Sequence, residues 1–315
     1  MAVSAYGSVE QNSPWSHRLA LLTTIATFPL LFVGGLVTSL GAGLAVPDWP
    51  TTFGHNMFLY PWSKMVGGIF YEHSHRLIGS AVGLLTIMLV LVLWYQDSRR
   101  WLRWLGVAAL GAVIAQGVLG GLRVVLLQQT LAIMHACFAQ AFFALAASLT
   151  LFTSAEWQAY PVKKTAADAG KVQRLGVLTV SFICAQLIFG AILRHTGEGI
   201  EVHLVGAALV SLHVLLLGAR VRRNHADLPA LARSATLLRR LLSLQLTLGL
   251  GAYLGKFTVS GAWLNPFVVG LATGHVVIGA LMLVAGVRLT LRTYRLLGTP
   301  QPEVRSQFSS EQVPV

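Results

Sequence analysis

The chain has 315 residues, 55% of them hydrophobic and 11% charged, with a formal net charge of +12 and a mean hydropathy of +0.68. A soluble domain carries about 25% charged residues, so an ordinary water-soluble globular protein is excluded. The basic excess would suit a nucleic-acid binder, but its placement along the chain argues against one.

In chain order, eight apolar stretches cover about 19–40, 70–94, 102–122, 130–153, 174–194, 201–220, 237–256 and 264–289. Each is close to the ~20 residues that cross a bilayer core as helix. Gly and Gln interrupt several of them, which membrane helices tolerate when neighbouring helices satisfy the polar groups. The expected fold class is all-α, a polytopic membrane protein with eight transmembrane helices. Residues 1–17 are polar and expected to be mobile. No signal-peptide cleavage pattern accompanies the first stretch, so it is read as retained. Residues 298–315 are expected to form a disordered cytoplasmic tail.

The cations alternate with these stretches. Arg18 precedes the first. Arg99, Arg100 and Arg103 separate the second and third, and Lys163, Lys164, Lys171 and Arg174 the fourth and fifth. Arg220, Arg222, Arg223, Arg233, Arg239 and Arg240 separate the sixth and seventh, and Arg288, Arg292, Arg295 and Arg305 close the series. The opposite loops hold only Lys64, Arg123, Arg194 and Lys256. This is the positive-inside pattern. It puts both termini in the cytoplasm of a bacterial membrane, a reading preferred to the mitochondrial inner membrane, and it leaves no role for nucleic acid. Cys137 and Cys184 each stand alone in a stretch, so no outer disulfide is expected.

The sequence repeats itself. Gly34, Gly41 and Gly43 recur as Gly190, Gly197 and Gly199. His75 and His203 open the second and sixth stretches. Gln116 and Gly120 recur as Gln245 and Gly249, and His135 and His275 lie early in the fourth and eighth. Two tandem, pseudo-symmetric four-helix bundles are therefore expected, 1–155 and 156–297, in the same orientation. The halves differ mainly in the loop after their first helix, long over 41–69 and short over about 197–200.

By the charge pattern all four histidines lie near the outer ends of their helices. Histidine within a membrane is a functional candidate, and two on facing helices suit a metal ion or a haem. A flat porphyrin needs small residues beside it. One helical turn beyond each His come Gly79, Ala139, Ala207 and Gly279, and two turns beyond His75 and His203 come Gly83 and Ser211. A zinc site would gather about four ligands, and no such cluster is visible in the second half. Haem is commonly held by axial His in helical bundles, so haem is favoured over a bare metal. His73 lacks a matched partner. His213 reads as a structural, hydrogen-bonded residue, and His17 and His225 as solvated. His195 can contact a haem propionate or cap its helix.

Within Tyr71-Glu-His-Ser-His-Arg76, Glu72 shares a helical face with His75 and is spaced to pair with Arg76. Beside a haem, Glu72 can accept a proton, and Arg76 can hold Glu72 or a propionate. Without a haem the two are an interfacial ion pair. The second half has Ile200 and Leu204 at the matched places. One site therefore reads as reactive, and the other as an electron-transfer haem.

Together these residues resemble the haem A synthase family. The resemblance spans about 19–290. It rests on E-x-x-H-R at Glu72, His75 and Arg76, on the Gly41–Pro50 loop with Asp48 and Trp49, and on Leu131–His135. It also rests on Arg194-His195-Thr196, His203 and His275. The resemblance implies an oxidoreductase that converts a methyl group of haem O to a formyl group, giving haem A for terminal cytochrome oxidases. It implies that His75 and His135 bracket haem O, that His203 and His275 ligate a resident haem b, and that Glu72 is catalytic. Arg76, Arg194 and His195 are the expected further haem contacts. Expected partners are haem O, the bilayer, haem O synthase and oxidase assembly factors. The Gly-rich faces serve haem contact or homo-oligomer packing equally. Many bacterial relatives carry a cysteine pair in the outer loop; 41–69 has none, so thiol chemistry in that loop is not open to this chain. The loop carries Trp49, Phe53, Phe58, Tyr60 and Trp62 instead, to cap the substrate site or to anchor at the interface. The alternative function is a dihaem b-type membrane electron carrier.

Overall fold

A computed structural model describes residues 14–159, 163–257 and 265–300. The described chain is all-α apart from one two-residue strand pair. Its helices are α1 (Pro14–Ser39), α2 (Gly68–Gln96), α3 (Arg100–Leu126), α4 (Gln129–Thr153), the short α5 (Ala155–Gln158), α6 (Ala169–Thr196), α7 (Ile200–Asn224), α8 (Pro229–Phe257) and α9 (Pro266–Leu296). Seven of the described helices are long and apolar enough to cross a membrane. The exception among the long ones is α8, which carries Arg239, Arg240, Gln245 and Lys256 within its 29 residues. The expected eighth span is thus a long helix of lower apolarity.

Most helices outrun the apolar stretches that foretell them. Helix α6 begins at Ala169 rather than 174, and α8 at Pro229 rather than 237. Once nucleated, a helix gains a hydrogen bond for each added residue. Lys and Arg at its ends keep their heads in water while their stems stay on the helix. Helix α9 opens on Pro266, after Asn265 accepts a cap bond from the Phe267 amide at 2.9 Å, a start that suits proline. The α6–α7 turn needs two left-handed residues, Gly197 (φ 82°) and Gly199 (φ 83°), a conformation glycine adopts without penalty.

Packing runs in two rings. Helix α1 touches α2 and α4, α2 touches α3, and α3 touches α4; likewise α6 touches α7 and α9, α7 touches α8, and α8 touches α9. The rings meet where α1 and α4 lie on α9 and α4 lies on α6. Buried apolar side chains follow the same division. Ala20, Val82, Leu89, Leu93, Leu102, Ala109, Phe142 and Leu149 form one cluster. A second runs through Val172, Ile183, Val214, Leu217, Leu238 and Leu289 of α6–α9.

Three features depart from the sequence reading. Lys164–Thr165 pairs in parallel with Leu297–Gly298, so Gly298, the first residue of the expected tail, is held; 1–13 and 301–315 lie outside the described residues. His225, expected in solvent, is 1% exposed and bonds Asp168 at 3.0 Å. His17 is half-buried, its Nδ1 3.2 Å from the Thr150 carbonyl. Both have polar sequence neighbours but are enclosed by helices distant in sequence, which periodicity along one segment does not reveal.

Candidate functional site

Helices α2 and α4 bring His75 and His135 together, with ring centres 6.3 Å apart at 76°. Helices α7 and α9 do the same for His203 and His275, at 6.2 Å and 67°. Each ring lies on a glycine of the preceding helix. A Cβ at Gly34 would sit 2.9 Å from His75 Cε1, and at Gly120 3.1 Å from His135 Cε1. At Gly190 it would sit 3.1 Å from His203 Cε1, and at Gly249 2.7 Å from His275 Cε1. These are the glycines of the internal repeat, so the repeat is a set of four seats for imidazoles.

The tautomers are set from behind. His135 Nδ1 lies 3.1 Å from the Gln116 carbonyl, and His275 Nδ1 lies 3.0 Å from the Gln245 carbonyl. An Nδ1–H donated to a carbonyl leaves Nε2 as the acceptor nitrogen, the one a metal can take; the Gln245 amide lies 3.3 Å from His275 Nε2. The Gln186 amide lies 3.1 Å from His203 Nδ1 and donates to its backbone carbonyl at 2.8 Å. His75 differs in degree: its ring is within reach of the Leu30 backbone, and its buried Nδ1 makes no well-formed hydrogen bond among the described residues. The repeat places Leu30 where the second half has Gln186.

The geometry passes a test for haem. A metal–imidazole bond is about 2 Å and the ring centre lies about 1 Å behind its nitrogen, so two imidazoles trans across one iron have centres about 6 Å apart. Both pairs meet this. No group of three His, Cys, Asp or Glu side chains able to hold a metal occurs among the described residues, so a tetrahedral centre lacks ligands. A Cβ on Gly83 would meet nothing within 4 Å, and one on Gly79 only Leu30 at 3.8 Å, so the α2 face is open. Gly279, expected on such a face, is instead buried against Leu187 and Gln245.

The outer loop closes over the first pair's end of α2. Arg76 donates to the carbonyls of Asp48 at 2.7 Å, Thr51 at 3.0 Å and Val46 at 3.0 Å, and to Glu72 Oε1 at 3.0 Å. Glu72 Oε2 accepts from the Val46 amide at 2.9 Å, and the residue is 4% exposed. The pair is therefore a latch on the loop, with both carboxylate oxygens engaged. His73, 1% exposed, adds a bond to Thr52 Oγ1 at 3.1 Å and lies 5.2 Å from the Tyr60 ring. Thus Glu72, His73 and Arg76 face the loop, while His75 faces the helices. The Trp49 ring covers Gly121, where a Cβ would meet it at 2.2 Å.

Arg194 lies between the two pairs. It donates to the Gly35 carbonyl at 2.8 Å and Ser39 Oγ at 2.6 Å on α1, and reaches the Ala272 carbonyl on α9. The neighbouring His195 lies within electrostatic reach of His135, and its carbonyl accepts from Gln129. His213 bonds the Leu209 carbonyl at 2.8 Å, and its ring lies tilted at 4.4 Å from that of Phe182. Sequence reasoning missed Arg123, which donates to the Gly43 carbonyl at 3.0 Å and acts electrostatically on Glu72, His75 and His135. The signal was its position: with Arg76 it is one of five cations on the side that the positive-inside rule leaves nearly bare.

The chain is similar to known proteins. The chain is 31% identical over 184 residues to a heme A synthase of Shouchella clausii (strain KSM-K16), covering 57% of this chain and 59% of that protein. It is 33% identical over 103 residues to a heme A synthase of Alkalihalophilus pseudofirmus, covering 32% of this chain and 33% of the relative. The chain thus matches less than two thirds of the length of either curated relative. A family model described as cytochrome oxidase assembly protein, COX15-CtaA, matches residues 17–203. That span contains the outer loop, the first histidine pair, Arg123, Arg194, His195 and His203, and on this match the chain belongs to the COX15-CtaA family of cytochrome oxidase assembly proteins.

Proposed function

We propose that this protein is a haem A synthase, a membrane oxidoreductase acting on a CH group: it oxidises a methyl group of haem O to the formyl group of haem A. The observation that carries the reading is the pairing of two like histidine sites with one unlike loop. Both halves seat two imidazoles at the spacing of an iron held between them, and among the described residues only the first is closed by a latched outer loop.

In this reading α8 is the eighth span. The halves 1–155 and 156–297 are tandem four-helix bundles in the bacterial cytoplasmic membrane, with termini inside and histidines toward the outside. His75 and His135 hold the substrate haem O. His203 and His275 hold a resident haem b, which supplies one-electron transfer. Gln186, Gln245 and the seating glycines keep that site fixed. The loop from Gly43 to Thr52 excludes water from the outer end of the first pair. Methyl to formyl takes up one water and releases four electrons and four protons; an electron acceptor outside the chain takes the electrons, and Glu72 accepts one of the protons. Arg194 and His195 lie where they can contact haem substituents of both sites. Haem O synthase is the natural donor of the substrate, and oxidase assembly factors the natural recipients of the product.

Extraction and chromatographic identification of the haems that co-purify tests this, with wild type beside Glu72→Ala. Haem b with haem O or haem A in the wild type, and haem O without haem A in the variant, supports the reading. Two equivalents of haem b in both samples, with no conversion of supplied haem O, would make the protein a dihaem electron carrier instead.

A further inference from the structure

At the end of the molecule opposite the histidines, α6 and α7 enclose a groove of about 520 Å³. Its α6 wall is Lys171, Arg174, Leu175 and Leu178, and its α7 wall is Leu216, Ala219, Arg220 and Arg223. Both walls follow the i, i+3, i+4, i+7 spacing of one helical face. The helices are antiparallel, so in both the cations lie at the inner end and the apolar residues nearer the membrane core. Leu178 and Leu216 are each 48% exposed, so the apolar floor lacks a protein cover. None of the four cations makes a salt bridge within 4 Å among the described residues. Asp168, within electrostatic reach of Arg220, has its oxygens bonded to Asn224 and His225. Orienting a helix pair requires cations on one side; it does not require four of them to converge on one cleft.

We infer that this groove is a binding site for a glycerophospholipid with an anionic headgroup. The phosphate sits among Lys171, Arg174, Arg220 and Arg223, and an acyl chain lies over Leu175, Leu178, Leu216 and Ala219. The seven steps from Lys171 to Leu178 rise about 10 Å, enough to pass from headgroup to hydrocarbon. Four cations satisfy one anionic headgroup, and the exposed leucines exclude a fully hydrated ion as the matching occupant. Nothing in this site depends on the haem reading.

The test is native mass spectrometry of the full-length detergent-solubilised protein titrated with phosphatidylglycerol, phosphatidylcholine or inorganic phosphate. The wild type is expected to retain phosphatidylglycerol over phosphatidylcholine. Arg220→Gln with Arg223→Gln should weaken that retention about thirtyfold, at roughly fivefold per cation near a charged surface. Leu216→Trp, which keeps every charge and hence the topology, should also displace the lipid. It decides the matter if the arginine variant fails to insert. Equal retention of both lipids, retention unchanged in Leu216→Trp, or displacement of phosphatidylglycerol by inorganic phosphate at comparable concentration would each overturn the proposal.

Discussion

Replacing Gly249 with Ala should strip haem from the second histidine pair without harming the fold. The new Cβ would lie 2.7 Å from His275 Cε1 and 3.0 Å from its Nδ1. Carbon atoms pack at about 3.5–4.0 Å, so the imidazole must retreat by about 1 Å. It cannot do so freely, because Nδ1 is bonded to the Gln245 carbonyl at 3.0 Å and the partner ring is only 6.2 Å away. Overpacking of this kind costs about 1–3 kcal/mol, which is about 5–150-fold in affinity. The helix itself should gain, since Ala exceeds Gly by about 1 kcal/mol in a helix interior. Haem b titrated into apoprotein and followed by its absorbance gives the affinity. Gly270→Ala, whose Cβ would meet nothing within 4 Å on the same helix as His275, is the control and should bind as wild type. Wild-type affinity and an unshifted spectrum in Gly249→Ala would refute the claim that Gly249 seats an iron-binding imidazole.

Other outcomes follow from the same geometry. Arg76→Lys keeps the charge but cannot reach three carbonyls and Glu72 at once; amide exchange across 46–52, read by mass spectrometry, should rise at least about tenfold. Unchanged exchange would mean the latch is not what holds the loop. Gln186→Leu makes the second half resemble the first at Leu30 and should weaken haem b binding by about tenfold, as loss of hydrogen bonds at a buried ligand does; equal affinity would remove its positioning role. His203→Ala and His275→Ala should each abolish the resident haem b spectrum, and either variant retaining it in full would cancel the ligand assignment. Asp48 gives a pH dependence. Burial pushes its carboxyl up, but bonds donated by Gly54, Thr51 and Phe53 outweigh this and hold it at about 2, below the ordinary 3.8. A depressed carboxyl adds stability above its unfolded value and loses it as pH falls through the folded one. Pepsin cleavage within the outer loop should therefore rise as pH drops from about 4 to about 2 in the wild type. Asp48→Asn should show no such step, and a step of equal size there would assign the transition to another group.

Much of this protein is legible in one dimension. Apolar runs of bilayer length announce α1–α4, α6, α7 and α9, because a helix in lipid must be apolar along its whole length and needs no partner to show it. The tandem repeat likewise matched His75 with His203 and Gly120 with Gly249, since a site built twice leaves the same spacing twice. What the sequence could not display is what each side chain turns toward. Glu72, His75 and Arg76 fall within five residues, yet the tertiary fold sends Arg76 to three carbonyls of the loop, Glu72 to the Val46 amide and His75 to Gly34 on another helix. The same holds for His225, which polar neighbours marked as solvated and packing buried against Asp168. The seats for the imidazoles are glycines and backbone carbonyls, groups that carry no chemical label in a sequence. Composition and periodicity thus determined the membrane helices, the repeat and the four histidines. Only the packing of α1 on α2, α3 on α4, α6 on α7 and α8 on α9 decided the pair distances, the tautomers and the latch, because those depend on atoms brought together from distant segments.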